Sequence, residues 1–211
     1  MTAPVWLFDL DDTLHHASTH IFPQINQAMT AYVAQALNVD DDEADRLRMD
    51  YWRRYGATLT GLMRHHGIDP HHFLRQTHQF PELPRQLVFD RALKNALQRL
   101  RGRKIVFSNA PRHYAEAVLR AMDIYDCFDS IWCLERLRFV PKPFPAAFHR
   151  LLRREGISAR RCVMVEDSTE NLRTAKALGM RTVLVSRQTR VPSWVDMRLS
   201  SVLELPRRQP A

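Results

Sequence analysis

The amino-acid sequence predicts an α/β protein in which helices cover both faces of a doubly wound parallel sheet, with an all-helical cap inserted after the first strand. Short apolar runs such as Val5 to Phe8 have the length and composition of strands that are buried on both faces. Beyond residue 84 such runs alternate with helical patterns through short connections, which favours parallel strands. A chain of 211 residues suits one core domain with a smaller insertion.

The first predicted strand ends in acidic residues. Asp9 and Asp11 follow Phe8 directly, and Thr13 comes two residues later. Alternation along an extended chain points Asp9 and Asp11 to the same side. That side, at the carboxyl end of a parallel strand, is the crevice where open α/β sheets bind ligands. Since buried carboxylates are costly unless they are paired or bound to metal, these two residues are candidate site residues.

Residues 15–84 show helical periodicity and no convincing strand. The run Asp40 to Asp42 can cap one helix, and Asp69, followed by proline, can cap another. Gly67 is placed to end the helix between them. We therefore expect a helical cap at 15–84 and a catalytic core formed by residues 1–14 and 85–211. A cap at this position would close over the carboxylates.

The predicted cap also contains three pairs of adjacent histidines, at 15–16, 65–66 and 71–72. Adjacent residues on a helix do not share a face, so these pairs do not form a metal site by spacing alone. We expect them to be surface or partly packed residues.

Polar residues recur after the later apolar runs. The run Lys104 to Phe107 leads into Ser108 and Asn109, near the start of a predicted helix, where backbone N–H groups can bind anions. Lys142 lies between two prolines. The run Val163 to Val165 leads into Glu166 and Asp167. Further predicted strands cover residues 131–134 and 182–185.

Composition limits the classes of function. The chain is 45% hydrophobic and 26% charged, an ordinary globular composition. It contains neither a run long enough to span a membrane nor the features of a signal peptide. Three cysteines without metal-type spacing, Cys127, Cys133 and Cys162, favour a reduced cytoplasm. The net charge of +8 is spread over separate loops and helix ends, which favours a small anionic substrate over nucleic acid.

Two carboxylates, a serine, a lysine and a final acidic pair, in this order at strand ends, resemble the four motifs of the haloacid dehalogenase (HAD) superfamily of phosphohydrolases. The resemblance implies a Rossmann-like core and an aspartyl-phosphate mechanism. Asp9 would be the nucleophile and Asp11 the general acid and base, while Ser108, Asn109 and Lys142 would bind phosphate. It also implies Mg²⁺ as cofactor, with Glu166 binding either directly or through water; the implied ligands are Asp9, Asp11 through its carbonyl, Glu166 and Asp167.

The chemistry of these residues is consistent with such a site. A phosphate dianion beside several carboxylates would be repelled, so Mg²⁺ and Lys142 are needed to offset the charge. Mg²⁺ favours hard oxygen ligands and commonly bridges carboxylates to substrate phosphate.

Residues 51–56, YWRRYG, together with Gly61-Leu62, look like the cap of the pyrimidine 5′-nucleotidases of this superfamily. The resemblance implies a nucleoside 5′-monophosphate substrate, with Tyr51 and Tyr55 as candidate base contacts. These aromatic residues could instead fill the core of the cap itself. A sugar phosphatase or a phosphoglucomutase-like enzyme keeps the same four motifs and stays open. A dehalogenase would not need Asp11, and a non-enzymatic regulatory protein would not need the intact set.

Overall fold

The computed structural model describes residues 3–208, which form helices around one parallel sheet. Its six strands are β1 (Val5–Phe8), β2 (Arg103–Phe107), β3 (Ser130–Trp132), β4 (Cys162–Glu166), β5 (Arg181–Val185) and β6 (Met197–Leu199). Their order across the sheet is β3-β2-β1-β4-β5-β6, and every pairing is parallel. The predicted fold class is therefore confirmed. Residues 1–2 and 209–211, which the sequence assigns to the core, lie outside the described residues.

Strand β1 lies in the middle of the sheet, between β2 and β4. Phe8, its last residue, is in register with Val106 on one side and Val165 on the other. All four residues of β1 are buried. Because the neighbouring strands end at the same level, the residues that follow β1, β2 and β4 meet at one edge of the sheet.

The residues of β1 alternate between two separate hydrophobic clusters. Trp6 and Phe8 belong to one, and Val5 and Leu7 to the other. Helices thus cover both faces of the sheet, as a doubly wound fold requires. The helices are α1 (Ala17–Leu37), α2 (Asp41–Tyr55), α3 (Thr58–His66), α4 (Pro70–Thr77), α5 (Leu83–Gln86), α6 (Leu93–Arg99), α7 (Arg112–Ala121), α8 (Pro145–Glu155) and α9 (Thr169–Ala177).

The segment between β1 and β2 is helical, as predicted. Asp40 caps α2 by accepting a hydrogen bond from the backbone of Glu43, and Asp69 caps α4 in the same way. Helices α1 to α4 enclose a third cluster, centred on Leu62 and Phe73. Helix α1 packs against both the core and the cap, because Ile21 belongs to a hydrophobic cluster of the core and Val33 to the cluster of the cap. The boundaries of the cap at residues 15 and 84 remain a prediction.

The two edge strands of the sheet, β3 and β6, differ from the prediction. Strand β3 ends at Trp132, two residues before the predicted end, because the chain turns there and Leu134 packs against the cluster of the cap. The short edge strand β6 was not predicted, since three residues give too little pattern.

The three cysteines are unpaired: Cys133 and Cys162 are buried, and Cys127 is half-buried. They pack in or beside the two clusters that flank the sheet, as expected for small core residues. Across residues 3–208 no helix is both long enough and apolar enough to cross a membrane.

Candidate active site

A cavity of about 570 Å³ lies between the carboxyl edge of the sheet and the helical cap. The core contributes every polar residue that the sequence analysis named as a candidate: Asp9, Asp11, Ser108, Asn109, Lys142, Glu166 and Asp167. Residues separated by more than 150 positions in the sequence are thus brought to one place, because β1, β2 and β4 are adjacent and parallel.

The side chain of Lys142 joins two of the carboxylates. Its Nζ lies 2.7 Å from Oδ1 of Asp9 and 2.7 Å from Oε2 of Glu166. Only 1% of the Lys142 side chain is exposed. The side chain of Asn109 fixes the backbone of Lys142 from both sides, since its amide donates to the Lys142 carbonyl at 3.0 Å and its oxygen accepts from the Lys142 N–H at 2.8 Å. Asn109 therefore positions the lysine, and a direct contact with phosphate stays a prediction.

Burial governs the protonation of this cluster. It raises the pKa of Asp9, and the charge of Glu166 raises it further. Burial likewise raises the pKa of Glu166 and of Asp167. Burial alone lowers the pKa of an ammonium, but the charges of Asp9 and Glu166 outweigh it and raise the pKa of Lys142. One cation thus neutralises only part of the negative charge that would be present if all three carboxylates were ionised.

Asp9, Glu166 and Asp167 could together hold a metal ion, because one carboxylate oxygen of each lies within 4.8 Å of the others. These hard oxygen donors fit Mg²⁺, and a divalent cation would offset the uncompensated charge. The two oxygens of Glu166 accept hydrogen bonds from Lys142 and, at 3.3 Å, from the backbone of Ser168. The two oxygens of Asp9 are engaged in the same way, by Lys142 and, at 3.4 Å, by the hydroxyl of Thr13. These contacts therefore do not rank Asp9 above Glu166 as a metal ligand, and direct binding by Glu166 stays open.

Asp11 is held by two aromatic residues that the sequence analysis did not assign to the site. Its Oδ1 accepts a hydrogen bond from the hydroxyl of Tyr114 at 2.7 Å and lies 2.9 Å from Nε2 of His15. Both side chains are buried, each residue being 2% exposed. The expectation that His15 is a surface or partly packed residue was wrong. The four-residue spacing between Asp11 and His15 was a usable signal, whereas no sequence pattern points to Tyr114.

Ser108 is buried at the end of β2, and its hydroxyl accepts from the backbone of Ala110 at 3.0 Å. The expected anion site at the start of α7 is occupied by the chain itself. The backbone N–H of Arg112 lies 3.0 Å from both carboxylate oxygens of Glu135. A phosphate-binding role for Ser108 is unaffected by this, but the first N–H of the helix is already used.

The cap contributes a mainly apolar wall to the cavity. Trp52 is its most exposed large residue, at 56%. Four polar side chains interrupt this wall, namely Asn26, Arg48, Thr58 and His78. Arg48 donates to Oδ1 of Asn26 at 3.0 Å and to Oδ1 of Asp45 at 2.7 Å. The apolar cap residues that line the cavity are Phe22, Ile25, Met29, Met49, Trp52, Ala57, Leu59, Phe73 and Leu74.

The two tyrosines named from the sequence occupy a different place. Tyr51 and Tyr55 are absent from the described residues that line the cavity. Tyr51 packs in the core of the cap, and its hydroxyl lies 2.6 Å from His66, while the hydroxyl of Tyr55 lies 2.7 Å from His65. The geometry thus gives these two tyrosines a structural role, whereas their neighbour Trp52 lines the cavity.

Known proteins with similar sequences or folds are hydrolases and phosphatases. Residues 5–179 match the model of the haloacid dehalogenase-like hydrolases. Phosphate metabolism protein 8 of Saccharomyces cerevisiae is 29% identical over 197 residues, which cover 85% of this chain and 60% of that protein. Hexitol phosphatase B of Escherichia coli is 33% identical over 102 residues, 46% of each chain. This chain therefore spans less than two thirds of either relative. Among solved structures, a HAD phosphatase from Thermococcus onnurineus has a TM-score of 0.68 at 22% identity, with 98% of this chain and 97% of that one covered.

Proposed function

The chain belongs to the haloacid dehalogenase-like hydrolase family, and from this premise we propose that it is a Mg²⁺-dependent phosphomonoesterase that acts through an aspartyl-phosphate. One observation carries the proposal: Asp9, Asp11, Lys142 and Asp167 line the same cavity beneath the cap. The second carboxylate distinguishes a phosphatase from a dehalogenase, which would have no leaving alkoxide to protonate.

Each residue then has a defined task. A carboxylate oxygen of Asp9 attacks phosphorus and forms an O–P bond while the ester P–O bond breaks. Asp11 gives its proton to the departing oxygen, then takes one from the water that attacks phosphorus and releases Asp9. Ser108 and Lys142 hold the phosphoryl oxygens as charge redistributes.

Mg²⁺ would be held by the carboxylates of Asp9 and Asp167 and by the backbone carbonyl of Asp11. When bound, it supplies positive charge that lets a phosphate dianion approach these carboxylates. The ammonium group of Lys142 adds a second positive charge beside Asp9, and its ion pair with Glu166 holds it in position.

For the substrate we propose a pyrimidine nucleoside 5′-monophosphate. The core residues handle only the phosphate, so selectivity has to come from the cap. The ring of Trp52 is large, flat and exposed on the cavity, and the wall around it is apolar. A planar base could pack against this ring while Arg48 and Asn26 hydrogen-bond to its polar edge.

A sugar or polyol phosphate is the second candidate. It is favoured by the similarity to hexitol phosphatase B, although this covers 46% of the chain. The cap wall disfavours a polyol, because many of its hydroxyl groups would lose water against the apolar side chains that make up the greater part of the wall.

The test is phosphate release from a panel of UMP, CMP, AMP, GMP, glucose 6-phosphate and a hexitol phosphate, with Mg²⁺ and with EDTA. The proposal predicts Mg²⁺-dependent release and the highest kcat/KM with UMP or CMP. Higher kcat/KM with the hexitol phosphate would select the second candidate, and no release from any ester would refute the phosphatase itself. The Asp9→Asn variant, purified in parallel, controls for contaminating phosphatases.

A further inference from the structure

We propose that Tyr114 and His15 are positioning residues for Asp11: together they hold one of its carboxyl oxygens and so present the other to the leaving group. This inference rests on the proposed function, because it assigns a task to residues around the general acid. It assigns no contact with substrate to Tyr114 or His15.

Two separate parts of the chain bring donors to the same oxygen of Asp11. His15 follows Asp11 by four residues, while Tyr114 lies on α7, 103 positions away. The Tyr114 hydroxyl lies 2.7 Å and Nε2 of His15 2.9 Å from Oδ1 of Asp11. The hydroxyl is also 3.5 Å from Nε2 of His15, so the three polar groups form one compact network.

The direction of each hydrogen bond follows from the groups involved. A phenol keeps its proton at neutral pH, so the hydroxyl of Tyr114 donates to Oδ1 of Asp11. An ionised carboxylate only accepts, and Nε2 of His15 must therefore carry a hydrogen as well. Nδ1 of His15 is buried and has no hydrogen-bond partner among the described residues. With its hydrogen on Nε2, the ring carries no N–H at Nδ1, so no unpaired donor is buried at that position.

Two donors on Oδ1 place the acid proton on Oδ2. When a carboxyl group is protonated, its hydroxyl oxygen is a weaker acceptor than its carbonyl oxygen. The form of Asp11 that keeps both hydrogen bonds is thus the one with the carbonyl at Oδ1 and the hydroxyl at Oδ2. The network fixes the side chain and presents Oδ2 to the leaving group, which is the pre-organisation that general acid catalysis needs.

The test compares two classes of phosphate ester. An alkyl ester, such as a nucleotide or hexose phosphate that the wild-type protein hydrolyses, needs a proton on its leaving oxygen. p-Nitrophenyl phosphate has a stable leaving anion and needs none. Tyr114→Phe removes one hydroxyl and keeps the ring. We expect it to lower kcat/KM for the alkyl ester about 10- to 100-fold, and kcat/KM for p-nitrophenyl phosphate by less than about threefold. The comparison uses kcat/KM because this constant reports the step in which the leaving group departs, whereas kcat also includes the later hydrolysis of the aspartyl-phosphate, in which Asp11 acts as base for both esters.

His15 is tested with a pair of substitutions. Glutamine can place an N–H near the position of Nε2, whereas leucine cannot, so His15→Gln should retain more alkyl-ester activity than His15→Leu. Tyr32→Phe is the matched control, because it removes a hydroxyl that lies 2.8 Å from His72 in the cap, away from Asp11. It should leave the ratio of the two activities unchanged.

Three results would overturn the inference: equal losses on both esters in Tyr114→Phe, full alkyl-ester activity in that variant, or the same change of ratio in Tyr32→Phe. Thermal unfolding of each variant identifies a loss of folding, which would lower both activities alike. If the wild-type protein hydrolysed neither ester, the proposed function would fail first, and this is visible before any variant is made.

Discussion

The Nζ of Lys142 lies 2.7 Å from Oδ1 of Asp9, although the two residues are 133 positions apart in the chain. Both side chains are almost completely buried, and Glu166 shares the same ammonium. This contact ties the loop after β3 to the end of the central strand. It also places the cation where a phosphoryl group attached to Asp9 would develop charge.

Removing this cation should affect both folding and turnover. In Lys142→Met two buried carboxylates lose their counter-ion, so we expect the free energy of unfolding to fall by about 3–5 kcal/mol. The kcat should fall on the order of 10²- to 10³-fold, as for the loss of one stabilising charge in other enzymes. Urea unfolding and steady-state kinetics measure the two effects.

The ion pair between Lys176 and Asp196 provides the control, because both side chains are about one third exposed or more. Lys176→Met should lower the free energy of unfolding by less than about 1 kcal/mol. Comparable losses of stability in the two variants would contradict the special role of the buried ion pair.

The acidic residues at the end of β4 should differ in their importance for metal binding. Asp167→Asn removes a predicted direct ligand, while Glu166→Gln alters a residue whose oxygens already accept hydrogen bonds from Lys142 and Ser168. We expect Asp167→Asn to weaken Mg²⁺ binding more than about 100-fold and Glu166→Gln about 10-fold. Mg²⁺ titrations by calorimetry and by activity after EDTA treatment would show this. The opposite order would make Glu166 the direct ligand.

Trp52 should determine selectivity without supporting the fold. Its side chain is exposed on the cavity, so Trp52→Ala should lower kcat/KM for UMP about 10-fold through the loss of ring contact, with a change in stability within about 0.5 kcal/mol. Tyr51→Ala is the counterpart. Tyr51 is buried in the cap, and its truncation should cost about 3–5 kcal/mol of stability. An unchanged preference for UMP over glucose 6-phosphate in Trp52→Ala would remove the ring from substrate recognition.

His78 should make stability depend on pH in mildly acidic solution. Burial lowers the pKa of His78 from 6.5 to about 4, so the folded protein favours the neutral ring. The stabilisation of the folded state by the neutral His78 ring is complete above the unfolded pKa of about 6.5. It is lost as the pH falls from there to about 4, and the loss reaches roughly 3 kcal/mol.

Urea unfolding of wild type and His78→Gln in EDTA, between pH 8 and pH 4, measures this contribution. The difference in unfolding free energy between the two proteins should change in favour of the variant below about pH 6.5. A difference that stays constant over the whole range would contradict the prediction.

The sequence contains enough information to predict which polar residues meet at the edge of the sheet, because each of them adjoins a recognisable strand pattern. Asp9, Ser108 and Glu166 each come at or just after the end of a strand that is recognisable from its apolar residues. Once these strands are parallel neighbours, the side chains must meet. Fold class and core site thus follow from the same short segments.

The cap shows where sequence reasoning ends. Tyr51 and Trp52 are adjacent and aromatic, and helical periodicity does not show which of them faces the cavity and which faces Gly61 in the cap. The contact between Tyr114 and Asp11 depends on how α7 packs beside β1, which no local pattern encodes. Long-range contacts between helices are set by the packing of whole elements.

The most direct test of the account is to trap the covalent intermediate. The protein is mixed with a hydrolysed substrate and Mg²⁺, quenched in acid, and treated with borohydride, which reduces an acyl phosphate to an alcohol. Mass spectrometry of the peptide that contains residues 5–14 then locates the change. The aspartyl-phosphate mechanism predicts conversion of Asp9 to homoserine, dependent on substrate and absent from Asp9→Asn. Rapid turnover with Asp9 unmodified, or with the change at Asp11 instead, would contradict it.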